Sequence, residues 1–335
     1  MINTKILYEG AYKSRVLQIE VNQKKLVTPT YFPSISSVAI RLPLEPLIQS
    51  IIRSGYPRLL ISAYDLSNLS KENNNRISKT LTKFSKEKNF LLIDSGSFES
   101  YWFHDKKWNF KKYKLTINRT KSDFFTSFDN IPDSHSDYTD ILKSTYLNTK
   151  KSSKLIENNH CITVCHGQSP EQLHALIKKL SANDNELCRV IAIPERSCGK
   201  TLRDKIKTIQ KIRSILDSDK PENVLHILGC GNPLSMALFA MAGADLFDSI
   251  DWSRWVVDWR SLNFTDFANL TLTDCKCKVC RIKNIDAILR ALLHNLLFYQ
   301  DFILELQQSI ILKDELNFLR KYIDQKTVSK IVNFF

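Results

Sequence analysis

The chain has 335 residues, of which 43% are apolar, and 48 Lys and Arg stand against 35 Asp and Glu for a net charge of +13. That is enough for a sizeable core in one large domain or two ordinary ones. No run of about 18 apolar residues occurs and Met1-Ile-Asn-Thr-Lys-Ile lacks the apolar stretch of a secretion signal, so no membrane helix is expected and the expected location is cytoplasmic.

In chain order, short apolar, β-branched runs recur at roughly thirty-residue intervals: Thr28–Ser34, Arg58–Tyr64, Phe90–Ser95, Asp123–Asp129, Cys161–His166, Arg189–Pro194, Val224–Gly229 and Asp245–Ile250. Each has the length and composition of a buried strand. Amphipathic helical patterns lie between most of them, at Pro46–Ser54, Ser169–Leu180, Thr201–Leu216 and Pro233–Ala242. Ser169-Pro170-Glu171 reads as an N-cap and first turn. Lys71–Asn75 reads as a loop, and Asn148–His160 as part of a solvent-facing helix. Strands alternating with helices predict an α/β fold, a (β/α)8 TIM barrel. An open doubly wound sheet is the alternative, but no Gly-rich phosphate loop comes after the first strand.

Beyond Asp274 the pattern changes. Cys275, Cys277 and Cys280 precede His294, and three thiolates with one imidazole make a complete tetrahedral set for Zn²⁺. A closed set leaves no position for a substrate, so the expected zinc is structural. Long helices are expected at Ile285–Ile311 and Lys313–Tyr322. The chain is thereby divided into a barrel over residues 1–270 and a zinc-binding, C-terminal helical subdomain over residues 271–335. Cys161, Cys165, Cys188, Cys198 and Cys230 mostly lie in apolar runs and read as reduced core thiols.

In such barrels the site is built at the C-terminal ends of the strands. There this chain places Asp94-Ser95-Gly96, Asp129-Asn130, His166-Gly167-Gln168, Glu195-Arg196, Gly229-Cys230-Gly231, and Asp248 with Asp251. Carboxylates at the ends of buried strands are costly without a purpose. Two on different strands suit a displacement in which one attacks an electrophilic carbon and the other shuttles a proton. A third would accept from N1–H and the exocyclic amine of a guanine-like base. Phe98 could stack on a flat base or serve as a core aromatic. The excess positive charge favours a polyanion, most simply a nucleic acid.

At these residues the chain resembles the tRNA-guanine transglycosylase superfamily. Asp94-Ser-Gly-Ser-Phe-Glu99 is similar to its Asp-Ser-Gly-Gly-(Phe/Tyr)-Gln, and Leu228-Gly-Cys-Gly231 to its Met-Gly-Val-Gly. Gly243-Ala-Asp-Leu-Phe-Asp-Ser-Ile250 is similar to its Gly-Val-Asp-Met-Phe-Asp-Cys-Val. The cysteine cluster with His294-Asn295 resembles its zinc site. The resemblance implies that Asp248 attacks C1′ to give a covalent glycosyl–enzyme intermediate, with Asp94 as general acid and base. It implies that Asp129 recognises the base, with Phe98 and Leu228 sandwiching it and Ser95, His166, Glu195 and Gly229 lining its site. The entering base would be a 7-deazaguanine such as preQ0 or preQ1.

Departures from the family pattern also matter. Ser97 replaces a glycine and Glu99 a glutamine, and Asp251-Trp-Ser-Arg254 stands where queuosine-type enzymes carry Pro-Thr-Arg. These departures resemble the DNA-modifying branch, the DpdA-like proteins that place preQ0 into DNA, and exchange in DNA is the leading expectation. Base extrusion would then be required. Trp252, Trp255 and Trp259 interleave with Arg254 and Arg260, and either stack bases and hold phosphates or pack the zinc subdomain onto the barrel. A tRNA acceptor of the queuosine or archaeosine type is the alternative, and a non-catalytic accessory subunit is a third reading. Candidate partners are a second copy of the chain or other proteins of a DNA-modification cluster.

Overall fold

The computed structural model describes residues 2–38, 42–132, 136–155, 160–183, 185–272 and 275–335. Three antiparallel strands open the chain: β1 (Asn3–Glu9), β2 (Arg15–Val21) and β3 (Lys24–Val27). Eight parallel strands come next: β4 (Thr30–Ile35), β5 (Arg58–Ser62), β6 (Phe90–Asp94), β7 (Phe124–Thr126), β8 (Cys161–Val164), β9 (Val190–Pro194), β10 (Val224–Leu228) and β11 (Leu246–Ser249). They pair in sequence order, and β11 pairs back onto β4 to close the barrel. Seven of the apolar runs picked out in the sequence contain one of these strands and the first, Thr28–Ser34, covers all but the last residue of β4, so the TIM-barrel expectation holds.

Strand alternation builds the two shells of the core. Leu60, Leu92, Phe124, Ile162, Ala192, Val224 and Leu246 form one apolar cluster inside the barrel. Ile61, Ile93, Phe125, Ile193, Ile227 and Phe247 belong to the other, under the helices. The N-terminal sheet closes one end of the barrel. Its Leu17, Ile19, Val21 and Leu26 join the interior cluster. Lys24 donates to the Asn89 carbonyl at 2.6 Å and Asn22 to Asp123 at 3.1 Å, just ahead of β6 and β7. The opposite, C-terminal end is left open. There the inward positions turn polar: Ser34, Ser62, Asp94, Thr126 and Asp248.

Two local expectations change. Lys71–Asn75 is not a loop but the first turn of a helix, Lys71–Lys86. Ser70 caps it by accepting from the Asn73 N–H, and Ile77, Leu81 and Phe84 bury its inner face, which outweighs the poor propensity of three successive asparagines. Residues 148–152 of the basic segment belong to the helix Tyr138–Ser152. Part of that segment, residues 156–159, lies outside the described residues. The helices Leu44–Ser54, Pro170–Asn183, Leu202–Asp219 and Pro233–Met241 match the amphipathic patterns to within a few residues. Thr201 and Asp204 form a reciprocal capping box on the third.

After the barrel come a short ribbon, Val256–Val257 with Phe264–Thr265, and the helix Ala287–Ile311. That helix packs against Leu44–Ser54 and against β2 and β4. Tyr299 on it stacks on Tyr31 of β4 with ring centroids 4.2 Å apart. No helix among the described residues is long and apolar enough to cross a membrane.

Candidate active site

The open end of the barrel holds a cavity of about 400 Å3, lined among others by Asp94, Asp129, Asp248, Glu99, Glu195 and Asp251. A wider groove of about 770 Å3 runs along the helix Lys71–Lys86, but lysines, asparagines and hydroxyls line it and no carboxylate does. The barrel cavity is therefore where acid–base chemistry can occur.

Asp248 lies on β11 and is 7% exposed. Ser34 Oγ donates to its Oδ2 at 2.8 Å, and the Gly229 N–H reaches Oδ1 at 3.4 Å. His226, fully buried on β10, brings Nε2 to 2.9 Å from the same Oδ1, though off the line of a hydrogen bond. The carboxylate is thus held by groups from β4 and β10 with one oxygen edge toward the cavity. Gly229 has φ +75, a left-handed conformation that glycine adopts without strain and that lets its N–H turn inward.

Asp94 ends β6. The Gly96 N–H donates to its Oδ2 at 3.2 Å and Thr126 Oγ1 to its Oδ1 at 3.0 Å. Gly96 has φ +82, and a Cβ there would lie 2.6 Å from the Tyr64 backbone nitrogen, so the tight turn after Asp94 excludes a side chain. Burial and the nearby charge of Asp129 push the Asp94 carboxyl up to about 6. A carboxyl poised there can give and take a proton near neutral pH. Asp129 has the opposite character. Burial alone would raise it, but His166 Nε2 at 2.5 Å and the hydroxyls of Ser95 and Ser97 outweigh burial and hold it below its ordinary value. It is a fixed anion facing the cavity.

Glu99 is 3% exposed and is held by the hydroxyls of Ser36 at 2.5 Å and Ser62 at 2.7 Å. Burial, then Asp65 and Asp94, push it up to about 8. At neutral pH it is mostly the neutral acid, a close analogue in shape and donor pattern of the glutamine in the family motif. Proton linkage fixes the sign of the consequence. Both pKa values are raised in the folded state, so stability is full below about 4 and falls as pH rises through 6 for Asp94 and 8 for Glu99. Asp94→Asn is therefore expected to raise unfolding stability by about 3 kcal/mol at pH 7.5 and by well under about 1 kcal/mol at pH 4. Asparagine can turn its oxygen to the Gly96 N–H and its amide to the Thr126 hydroxyl. Glu99→Gln should be close to neutral at pH 4, already stabilising at pH 7 and more so at pH 9. Urea unfolding across these pH values checks both, and a loss of stability at every pH would refute the linkage.

The structure brings together most of the residues singled out in the sequence. Ser95, Phe98, His166, Glu195, Leu228 and Gly229 all line the cavity with the three aspartates. His166 spends Nε2 on Asp129, and Glu195 is ion-paired to Lys205 at 2.8 Å. The expected nucleic-acid contacts fare unevenly. Trp252 is a correction: it is 0% exposed and donates from Nε1 to the Ser34 carbonyl at 2.9 Å, so it cannot stack on a base. It instead anchors the end of β4 that supplies the hydroxyl to Asp248. Trp259 also packs inward, with its ring 5.5 Å from Phe298. Arg254 lines the cavity, its guanidinium 5.9 Å from the centre of the Trp255 ring, and Arg260 is exposed.

His226, Ser34 and Thr126 were not singled out from the sequence. The available signal was parity: with Leu228 inward on β10, His226 must point inward too.

The side-chain ligand atoms of Cys275, Cys277, Cys280 and His294 all lie within 4.8 Å of one another. His294 Nδ1 is 3.6, 3.6 and 3.3 Å from the three sulfurs. A tetrahedral zinc with ordinary Zn–S and Zn–N bonds separates sulfur from nitrogen by about 3.5 Å, so the donor set fits zinc. His294 Nε2 lies 2.9 Å from the Val257 carbonyl, which fixes the tautomer that leaves Nδ1 free to ligate. Asn295 donates to the carbonyls of Trp252 and Trp255 at 2.7 and 2.6 Å and accepts from the Val257 N–H at 3.0 Å. The cysteine–histidine cluster is thereby tied to the segment that leaves β11 after Asp248.

The profile of the queuine tRNA-ribosyltransferase family matches residues 11–327. The tRNA-guanine(15) transglycosylase of Nanoarchaeum equitans is 24% identical, over 96% of this chain and 75% of that protein. The tRNA-guanine(15) transglycosylases of Pyrococcus furiosus and Archaeoglobus fulgidus are 23% and 22% identical, over 79% of this chain and 45% and 55% of their own lengths. The chain thus spans between about half and three quarters of these curated relatives. The family match runs from the N-terminal sheet through the barrel, its carboxylate-lined cavity and the cysteine–histidine cluster, and the chain belongs to the queuine tRNA-ribosyltransferase family.

Proposed function

We propose that the chain is a base-exchange pentosyltransferase that replaces a guanine of tRNA with a 7-deazaguanine such as preQ0. The observation that carries this reading is the convergence of three aspartates of contrasting character on one cavity. Asp248 is anchored by donors as a nucleophile requires, Asp94 is poised near neutrality, and Asp129 is a fixed anion. Asp248 attacks C1′ of the target nucleoside and the C1′–N9 bond breaks, its electron pair leaving with guanine. Asp94 supplies the proton that guanine takes up. The entering base returns a proton to Asp94 as its nitrogen displaces Asp248 from C1′. Asp129 accepts from N1–H and the exocyclic amine, while Phe98 and Leu228 sandwich the ring. Structural zinc, held by the three cysteines and His294, would steady the wall beside Asp248. We also keep the division into a catalytic barrel, residues 1–270, and a zinc-binding and helical part, residues 271–335.

The tRNA acceptor is supported by the relatives, which are named for tRNA guanine. One observation favours DNA instead: Asp251-Trp-Ser-Arg254 comes after the nucleophile where queuosine-type enzymes have Pro-Thr-Arg. Retention of both Asp94 and Asp248 speaks against a purely accessory role. Incubation with labelled preQ0 and either a tRNA transcript or duplex DNA tests the proposal. Label is expected in tRNA. Label only in DNA would transfer the reading to the DNA-modifying branch, and label in neither would defeat base exchange.

A further inference from the structure

The cavity mouth opens onto an unusual surface. Tyr101, Trp102 and Phe103 are 53%, 58% and 47% exposed, three consecutive aromatic rings left to solvent. Large aromatics are seldom exposed side by side without a partner to cover them. They come just after Phe98, which lines the catalytic cavity, and the Phe98 and Trp102 rings are 6.3 Å apart. The Phe98 and Trp102 rings, one helical turn apart, thus lead from inside the cavity to the outer surface, with Tyr101 exposed beside Trp102 and Phe103 stacked on Tyr64 at 6.2 Å. Its flank is basic: Lys106 and Lys107 are exposed in the next turn of the chain. The chain as a whole carries +13.

We infer that Tyr101, Trp102 and Phe103 form a stacking platform for the unpaired nucleotides next to the target guanosine in a tRNA loop, with Lys106 and Lys107 holding the phosphates. The inference rests on the proposed function for the identity of its occupant. Unpaired bases present the flat faces that such a row can stack, while the phosphates between them match the lysines. A base drawn into the cavity against Phe98 leaves its neighbour one ring spacing away, over Trp102. The surface lies on the β6 side of the cavity mouth, and so differs from the Trp252 to Arg260 segment indicated by sequence.

Fluorescence anisotropy with a labelled tRNA transcript and the full chain tests this. Trp102→Ala is expected to weaken binding about tenfold or more, and Trp102→Phe to retain most of it. Lys106→Ala with Lys107→Ala should lower the slope of log affinity against log salt by between about 1 and 2. All three positions are exposed, so unchanged thermal midpoints are expected alongside. Wild-type affinity in Trp102→Ala together with an unchanged salt slope would overturn the platform. Equal binding of duplex DNA, lost equally in Trp102→Ala, would overturn the choice of an unpaired RNA loop. The proposed function fails separately: a chain that binds tRNA through Trp102 yet incorporates no labelled base keeps the platform and loses the reaction. A chain whose Trp102→Ala variant incorporates label like the wild type at limiting tRNA keeps the reaction and loses the platform.

Discussion

Asp248→Asn is expected to abolish base exchange while leaving a folded protein. An amide oxygen cannot form the glycosyl ester on which the exchange depends, so the loss should be on the order of 10⁴-fold or more, as when a nucleophile is removed from other covalent enzymes. The fold should survive, because the amide oxygen can still accept from Ser34 or from the Gly229 N–H. Rate and stability therefore separate at this residue. A denaturing gel adds an independent readout: wild-type protein mixed with labelled nucleic acid should show a covalent adduct that the variant lacks. Turnover unchanged by the substitution would remove Asp248 from the nucleophile's role. The same measurement on Ser34→Ala should show a smaller deficit, because that residue touches the carboxylate and not the substrate.

The barrel was legible in the sequence because each strand is a short, dense apolar run and each intervening helix is amphipathic. Even the C-terminal rim could be located, since polar residues end those runs at Asp94, Asp129, His166 and Asp248. The elements that escaped that reading are governed by contacts distant in sequence. The helix Lys71–Lys86 begins in an asparagine-rich segment whose propensity argues for a loop, and only burial of Ile77, Leu81 and Phe84 decides otherwise. The strands β1 to β3 precede the barrel rhythm and find their apolar partners inside its closed end. Trp252 and Trp102 show the same limit. Both sit in aromatic, basic segments shortly after a cavity aspartate, yet one is fully buried and the other 58% exposed. Composition cannot separate them. Tethering does: Asn295 ties down the Trp252 segment, whereas among the described residues the Trp102 ring meets that of Phe98 at its side.

Removing the metal is expected to damage both the fold and the site, because the cluster and the nucleophile share one stretch of chain. Structural zinc contributes apparent binding energies of roughly 10 kcal/mol or more in small domains, comparable with the whole stability of an ordinary one. Cys277→Ala should therefore lower the thermal midpoint by about 10 °C or more, or yield insoluble protein, with zinc content by elemental analysis falling from one equivalent toward none. Asn295→Ala separates bracing from metal binding. It removes no ligand, but it leaves the buried Trp252 carbonyl, the half-buried Trp255 carbonyl and the buried Val257 N–H without their partner. Unmet groups of this kind destabilise by about 1 to 3 kcal/mol each. That variant should keep its zinc, melt lower and exchange base more slowly, because Trp252 holds the Ser34 carbonyl and Ser34 holds Asp248. Wild-type protein that binds no zinc, with a Cys277→Ala midpoint equal to its own, would overturn the structural metal. An Asn295→Ala variant with reduced stability but undiminished exchange would show that the cysteine–histidine cluster supports the fold without positioning the nucleophile.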